Sequence, residues 1–273
     1  MSKINTIKNY IHGYTANEQS RLYKTAKFFE QIIYRSIDFV EAGKIIEIGC
    51  GVGGQTEILL RRFQHLNIDA IDASEKQLKK AKSIIKSAGF QNRVNFHQCD
   101  AAHLPFKKNT FDGAFVCWFL EHVSNPVGIL KEAKRVLKPG AVIYCNEVLN
   151  NTFFCDPYSP AILRYWLEFN DYQWNMRGDP FLGAKLGNCL LDAGFNDVRT
   201  EVLSHHFDNR TPRQRTHMFE LWTDLLLSAA PAMLESKRVD LKLVGEMKKE
   251  LATLKEKKDA VFFLSWIQSR AIV

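Results

Sequence analysis

The stretch 45-IIEIGCGVGGQT-56 contains the glycines best placed to bind a ligand, because they separate an apolar run from a helical pattern. Gly49, Gly51 and Gly53 alternate along the chain. With Gly54 as the last position instead, the spacing becomes GxGxxG, the fingerprint of dinucleotide sites. A dinucleotide would place its pyrophosphate on the N-terminus of the following helix. S-adenosylmethionine has no phosphate and needs only a close backbone and a polar rim, so the loop by itself leaves both ligands open.

Carboxylates stand at the ends of the apolar runs that flank this loop. Glu47 lies two residues before the first glycine, where a charge is costly unless it reaches a partner. It is expected either to pair with a neighbouring side chain or to help hold the loop and a cationic ammonium group of the ligand. Asp72 is the last residue of the next apolar run, where a carboxylate can accept hydrogen bonds from both hydroxyls of an adenosine ribose. This position fits either ligand, so it indicates an adenosine cofactor without choosing one.

The elements that must position these residues alternate between short strand-like runs and longer helical runs from Lys44 to Val148. Such alternation is typical of βαβ units around a parallel sheet. The sequence 74-SEKQ-77 is a capping-box pattern that predicts the start of a helix, and Gly89 predicts its end. We predict five strands in this part of the chain, at 44–48, 67–72, 94–98, 111–118 and 141–148.

The C-terminal part changes character after the fifth predicted strand. Nine aromatic residues fall within 151–181, against an aromatic content of 12% for the whole chain, which indicates an insertion. Beyond it we predict a helix near 183–193, a strand over 197–203, a helical region from 211 to about 259 and a final strand over 260–273.

Composition narrows the class of protein. The 273 residues are 46% apolar, which is ample for the core of a large α/β domain. Six cysteines without a CxxC pair predict reduced core thiols, with neither a metal site nor disulfides. The net charge of +7 permits contact with nucleic acid, but lysines interleaved with acids predict ordinary solvated helices. No long apolar run or signal peptide is apparent, so a cytoplasmic protein without a membrane span is expected.

Five segments in order carry a family resemblance. They are EIGCGVG, IDAIDAS, CDAAHLPF, FDGAFVCWFLEHVSNP and RVLKPG, within roughly residues 40–150. With this order and spacing the chain resembles the class I S-adenosylmethionine-dependent methyltransferases, particularly the small-molecule branch that includes the ubiquinone and menaquinone biosynthesis type. The resemblance implies a Rossmann-like, mostly parallel sheet of seven strands with helices on both faces and an antiparallel last strand. We predict an N-terminal helical cap over 1–40 and a methyltransferase domain over 41–273, with insertions at about 150–181 and 208–259.

The resemblance also implies which residues bind S-adenosylmethionine, or its product S-adenosylhomocysteine. Gly49, Gly51 and Gly53 would let the backbone approach the methionine part, where a side chain would collide. The remaining contacts that it implies are Asp72 at the ribose hydroxyls, Ala73 beside the adenine, Asp100 at the adenine amino group, Ala101 through its backbone amide, and Cys117 and Trp118 on the methionine side.

An N-terminal segment and a histidine complete the predicted site. The segment 10-YIHGYTANEQSRLYKTAKFF-29 is similar to ones that fold over the cofactor in related enzymes, so Tyr14 and Arg21 are expected to close the pocket. Methyl transfer needs alignment more than a nucleophilic residue, but an oxygen acceptor must lose a proton. His122 follows the fourth predicted strand and is the candidate base, because imidazole titrates near neutral pH. Some relatives pair such a histidine with a tyrosine, here Tyr14, whereas in others it only orders the loop.

The acceptor stays open at this stage. The aromatics of 151–181 suit an apolar or planar small molecule or a methylammonium group, or they form a small core of their own. A small-molecule acceptor methylated on oxygen, nitrogen or carbon is the main prediction. The alternatives are a protein or RNA acceptor bound by the basic helical region, and a non-catalytic protein that binds S-adenosylmethionine. The sequence predicts no oligomeric state.

Overall fold

The computed structural model describes residues 10–273, so the first nine residues of the predicted cap lie outside it. Its strands are β1 Lys44–Ile48, β2 Asn67–Asp72, β3 Val94–Gln98, β4 Phe111–Cys117, β5 Leu137–Asp156, β6 Asn196–Phe207 and β7 Val261–Ile272. They form one sheet in the order β3-β2-β1-β4-β5-β7-β6. Strands β1 to β5 pair in parallel, and β7 runs antiparallel between β5 and β6. The predicted seven-stranded Rossmann-like sheet with an antiparallel last strand is confirmed.

Helices cover both faces of this sheet. Within the described residues they are α1 Ala16–Phe28, α2 Glu30–Ile33, α3 Gly54–Arg62, α4 Glu75–Ser87, α5 Pro126–Val136, α6 Pro160–Asn175, α7 Leu186–Asp192, α8 Pro212–Glu235 and α9 Leu241–Glu256. Thr15 and Ser74 begin α1 and α4, because each hydroxyl accepts from the backbone amide three residues later and satisfies a free N–H group. The capping pattern at 74–77 therefore acts as predicted.

Strand β5 is longer than the sequence predicted. After an irregularity it pairs with β7 again, from Phe154 opposite Phe263 to Asp156 opposite Val261. Phe153 and Cys155 are buried while Phe154 is 54% exposed, which is the alternation of a strand with one covered face. The fifth strand therefore ends at Asp156 rather than at Val148 as predicted. Helix α6 follows the extended strand, and the second predicted insertion, 208–259, contains α8 and α9.

Two apolar layers pack on the sheet. One lies under α5 and α7 and includes Leu130 and Leu186. The other is larger and joins α1, α3, α6, α8 and α9 around aromatic side chains such as Phe29, Trp166 and Trp222. The cap helix and the C-terminal helices therefore share one core with the sheet.

The cysteines and the helices bear on two further predictions. All six cysteines are unpaired and five are buried, as expected of reduced core thiols. Among residues 10–273, no helix has both the length and the apolar character required to cross a membrane.

Candidate functional site

A cavity of about 480 Å³, here the first cavity, opens at the carboxyl ends of β1, β2 and β4. It lies where the strand order reverses between β1 and β4, which is where ligands bind in open α/β sheets. Of the predicted site residues it is lined by Tyr14, Gly49, Gly51, Asp72, Ala73, Asp100, Ala101, Cys117, Trp118 and His122. Three others, Arg21, Glu47 and Gly53, do not line it.

The glycine loop brings bare backbone to the first cavity. Gly49 has φ of +76°, and a Cβ there would lie 2.4 Å from the Phe119 ring. A side chain at this position would therefore clash besides straining the backbone. Gly54, which also lines the cavity, leaves room for Ala26 of α1, whose Cβ would be 3.0 Å from an added Cβ. Gly54 therefore allows α1 to approach α3 closely. The glycine spacing did not predict this packing role.

Two carboxylates, at the ends of β2 and β3, also line the first cavity. Asp72 accepts hydrogen bonds from the backbone amides of Gly51 and Ser74, at 2.9 and 2.8 Å. Burial raises the pKa of Asp72, and these two amides oppose the shift. Asp100 accepts from the amide of Ala102 at 2.9 Å, which fixes the turn after β3. Both carboxylates are thus held by backbone at the ends of their strands and retain lone pairs that can face the cavity.

Two predicted cofactor residues lie behind the loop rather than at the cavity. Gly53, with φ of +80°, is the N-cap of α3, and a Cβ there would lie 3.0 Å from the Cβ of Ala81. Its side-chain-free position is required by packing against α4. Glu47 is buried and accepts from the Thr56 hydroxyl at 2.6 Å, so it braces the start of α3 from inside. Burial raises the pKa of Glu47 to about 8.

Arg21 is turned away from the first cavity. Its Nε and Nη2 donate to the two carboxylate oxygens of Glu18 at 2.7 and 2.6 Å, and both side chains are buried. Arg21 lines the neighbouring cavity described below. The short motif match in the N-terminal segment did not reveal which side of α1 would face which cavity.

A side chain of β5 holds the turn after β4 through hydrogen bonds. Glu147 is fully buried, and its carboxylate accepts from the backbone amides of Phe119, Leu120 and Glu121 at 3.1, 2.8 and 3.2 Å. Trp118, just before them, has φ of +53°, a conformation that costs about 1–3 kcal/mol outside glycine and persists only when its surroundings impose it. Sequence reasoning missed Glu147, although an acid within an apolar strand was a signal of the kind noted for Glu47.

His122 lies at the end of this turn and borders both cavities. Its Nε2 is 3.6 Å from Oε1 of Glu121. The ring of Tyr10 packs edge-on against the imidazole at 5.2 Å between centroids, and Tyr14 stacks on Tyr10 at 5.5 Å. The tyrosine in contact with His122 is therefore Tyr10, which corrects the predicted pairing with Tyr14. Tyr14 lines only the first cavity, whereas Tyr10 lines both cavities.

A second cavity of about 120 Å³ lies beyond Trp118 and His122. Trp166 and Phe169 of α6 line it, so part of the aromatic insertion does face a cavity. Other aromatics of that stretch do not, since Tyr158 and Trp174 are 77% and 56% exposed. The rest of the apolar wall was not predicted; it comes mainly from α8 and β7, through Met218, Leu221, Trp222, Leu225, Leu264 and Trp266.

Comparison with known families agrees with this geometry. Residues 46–145 match a family model described as a methyltransferase domain. That range begins in β1 and ends in β5, so it contains the glycine loop, both rim carboxylates and His122. A methyltransferase domain therefore lies within residues 46–145. The predicted resemblance is confirmed for this part of the chain.

Curated relatives of the methyltransferase domain include cycloartenol-C-24-methyltransferase of Arabidopsis thaliana. The chain is 29% identical to it over 178 residues, which is 65% of this chain and 52% of that protein. The chain spans about half, or less, of the length of the first curated relatives it matches.

Solved structures share the fold at low identity. The cyclase SpnF superposes over 100% of this chain and 88% of its own, with a TM-score of 0.56 and 18% identity. Phosphoethanolamine N-methyltransferase 2 of Haemonchus contortus, in complex with S-adenosyl-L-methionine, covers 97% of this chain and 54% of its own, with a TM-score of 0.54 and 19% identity. At these identities the likeness establishes only the fold of the methyltransferase domain. It does not establish the reaction, since one of the two neighbours is named as a cyclase.

Proposed function

We propose that the chain transfers a methyl group from S-adenosylmethionine to a small, largely apolar or aromatic acceptor. The observation that carries the proposal is the first cavity, where a side-chain-free loop and two carboxylates meet at the switch point of the sheet. Its volume of about 480 Å³ suits a nucleoside-sized ligand. Relatives named as sterol and alkaloid methyltransferases support a small-molecule acceptor. The acceptor atom is left open among oxygen, nitrogen and carbon.

The residues around the first cavity fit the cofactor in type. Gly49 and Gly51 would approach its methionine part, and Cys117 and Trp118 would line that part from β4. Tyr14 would close the cavity from the cap. The adenosine half would be held by four residues that follow the ends of β2 and β3. They are Asp72 at the ribose hydroxyls, Ala73 beside the adenine, Asp100 at the adenine amino group and Ala101 through its backbone amide.

Three proposed cofactor contacts are withdrawn from this set. Gly53 and Glu47 act behind the loop, the first by packing on α4 and the second by bracing α3. Arg21 is paired with Glu18 beside the second cavity. Their effect on the cofactor would be through the shape of the loop and cap.

The chemistry asked of the protein is alignment and proton removal. When bound, S-adenosylmethionine supplies an electrophilic methyl group and leaves as a neutral thioether. The turn 118–122 then has to hold the acceptor in line between the two cavities, and α1 has to exclude water. For an oxygen acceptor, we propose that Nε2 of His122 accepts the proton that the acceptor hydroxyl loses. The carboxylate of Glu121, 3.6 Å away, would stabilise the resulting imidazolium.

The cap and the cellular location belong to the same proposal. Residues 10–40 form the described part of the cap and contribute Tyr10, Ile11, Tyr14, Leu22 and Ala26 to the lining of the first cavity, while 41–273 form the catalytic unit with α6, α8 and α9 as its additions. Six unpaired cysteines support a reducing, cytoplasmic setting.

The test is calorimetric titration with S-adenosylhomocysteine. We expect saturable binding to wild type, and Asp72→Ala should weaken it by about 1.5–3 kcal/mol, the range for hydrogen bonds to a charged group. Asp171→Ala, which removes an exposed carboxylate on α6, is the matched control and should bind like wild type. Binding of NAD in place of S-adenosylhomocysteine would contradict the proposal.

A further inference from the structure

The second cavity differs from the first in the chemistry of its walls. Its lining is mostly carbon, from aromatic and aliphatic side chains of α6, α8 and β7. It shares Tyr10, Leu22, Trp118, His122 and Gln173 with the first cavity, so the two are contiguous at the turn after β4. A molecule in the second cavity would therefore reach the place where the methyl group is proposed to arrive.

The size of the cavity limits what fits. Its volume is about 120 Å³, and an apolar protein cavity of about 150 Å³ is known to hold one benzene molecule. The cavity thus takes one ring-sized group. Any remaining part of a larger ligand would extend past Trp118 toward the first cavity.

Three donor groups on residues of the wall lack an acceptor within the described residues. Arg21 gives Nε and Nη2 to Glu18, and its Nη1 has no acceptor among residues 10–273. The indole N–H groups of Trp118 and Trp222 are buried and likewise have no acceptor within the described residues. A buried donor without a partner costs about 1–3 kcal/mol, so a ligand that brings an acceptor oxygen would gain by supplying one.

The wall carries one guanidinium and one carboxylate, those of Arg21 and Glu121. The Arg21 guanidinium is paired with Glu18, which does not itself line the cavity. His12 lies beside it, bonded through Nδ1 to the Ser228 hydroxyl at 2.6 Å, and burial followed by the charge of Arg21 lowers its pKa well below the usual range. Glu121 lines the cavity too, but its Oε2 already accepts from Gln173 at 2.9 Å.

We infer that the second cavity binds the methyl acceptor and selects a ring-sized apolar group that carries a carbonyl or hydroxyl oxygen. Nη1 of Arg21 is the donor available to that oxygen. This inference rests on the proposed function, because it is the cofactor site next door that makes the occupant a methyl acceptor.

Three matched probes test the selection by ligand-observed NMR, in the presence of saturating S-adenosylhomocysteine. Benzyl alcohol carries a neutral oxygen, benzylammonium replaces it with a cation of similar shape, and toluene lacks the polar group. We expect benzyl alcohol to bind about tenfold more tightly than either of the others, since one hydrogen bond to a charged donor has about that effect. Equal or tighter binding of benzylammonium would overturn the inference.

Two positions on α8 locate the probe. Leu225 lines the second cavity, whereas Leu227 packs in the same core without lining it. Leu225→Trp should weaken benzyl alcohol binding about tenfold or more by filling the cavity, while Leu227→Trp should leave it near the wild-type value. Retained binding in the Leu225 variant would overturn the location.

The role of Arg21 needs a variant that leaves no buried charge unpaired. The double variant Glu18→Gln/Arg21→Gln replaces the ion pair by two amides. It should bind S-adenosylhomocysteine and toluene as wild type does and lose the preference for benzyl alcohol. A retained preference would overturn the assignment of Arg21.

The two proposals fail in different ways. Saturable S-adenosylhomocysteine binding with no binding of benzyl alcohol would overturn this inference and leave the proposed function standing. Absent S-adenosylhomocysteine binding would overturn the proposed function, and with it the identification of the cavity ligand as a methyl acceptor.

Discussion

At the scale of the residue, the site depends on side chains that lie between the two cavities. His122 borders both, touches Tyr10 and lies near Glu121. It is the group to which we assign the proton that a methyl acceptor would lose.

His122→Ala should lower turnover about a hundredfold, the effect of losing a general base, with S-adenosylhomocysteine affinity nearly unchanged. Turnover would be measured with an acceptor found by screening neutral oxygen-bearing ring compounds. His206→Ala, on β6 and half exposed, is the control and should turn over normally. Near-normal turnover of the His122 variant across about pH 6–9 would mean that it only orders the turn.

Glu47 provides a residue-scale prediction about stability. Its pKa is raised to about 8 by burial and then by the charge of Asp72, so the folded state favours the neutral carboxyl. The unfolded chain ionises at its ordinary pKa of about 4.3, and stability from this group is therefore present below that pH and lost as pH rises toward 8. Urea unfolding should show the free energy of unfolding falling by several kcal/mol across that window.

Glu47→Gln should flatten this pH dependence, because the amide cannot ionise yet can accept from the Thr56 hydroxyl. Glu41→Gln, at an exposed position just before β1, is the matched control and should keep the wild-type slope. Parallel curves for wild type and the Glu47 variant would show that other groups carry the dependence.

At the scale of the element, the turn after β4 owes its shape to β5. Glu147 reaches three successive backbone amides, and the amide of Trp118 donates to the Asn146 carbonyl at 2.9 Å. Burial and the neighbouring Glu121 raise the pKa of Glu147 to about 8, against the effect of the three amides. The strand thereby holds Trp118 in its left-handed conformation and directs His122 to the cavities.

Glu147→Gln should disturb this turn in either protonation state. A glutamine amide nitrogen cannot accept a hydrogen bond. If it replaces Oε2, the N–H of Glu121 loses its partner, and if it replaces Oε1, the N–H groups of Phe119 and Leu120 lose theirs. We expect the free energy of unfolding to fall by about 1–3 kcal/mol, the cost of a buried unsatisfied donor, and turnover to fall with it. Glu201→Gln, at an exposed position of β6, should change neither. A fully active Glu147 variant would show that the turn holds itself.

At the scale of the whole molecule, the cap joins the first cavity to a helix that lines the second cavity. Tyr23 and Lys27 of α1 bond to Glu57 of α3 at 2.6 Å each, while His12 bonds to Ser228 of α8. The cap thus touches the glycine-loop helix on one side and the wall of the second cavity on the other.

Hydrogen exchange should report this arrangement. Adding S-adenosylhomocysteine should slow amide exchange in 10–28 as well as in the glycine loop, because the cap lines the cavity that is filled. Helix α9, which does not line either cavity, is the internal control and should exchange at an unchanged rate. Protection confined to the glycine loop would mean that α1 contributes no closure.

The sequence by itself determined the sheet up to β4 and the first cavity's main residues. Short apolar runs, the glycine loop and the 74–77 cap are local signals, and the carboxyl ends of parallel strands necessarily meet at one edge. Asp72 and Asp100 could therefore be placed at the rim from their positions alone.

Only the tertiary structure decided what surrounds that rim. That Tyr10 rather than Tyr14 meets His122, that Arg21 faces the second cavity and that α8 forms its wall all depend on packing between distant segments. His12 and Ser228, in contact here, are 216 residues apart in the chain. Helical periodicity gives the apolar face of α1 or α8 but not its partner, and the partner decides which side chains border a cavity and which fill the core.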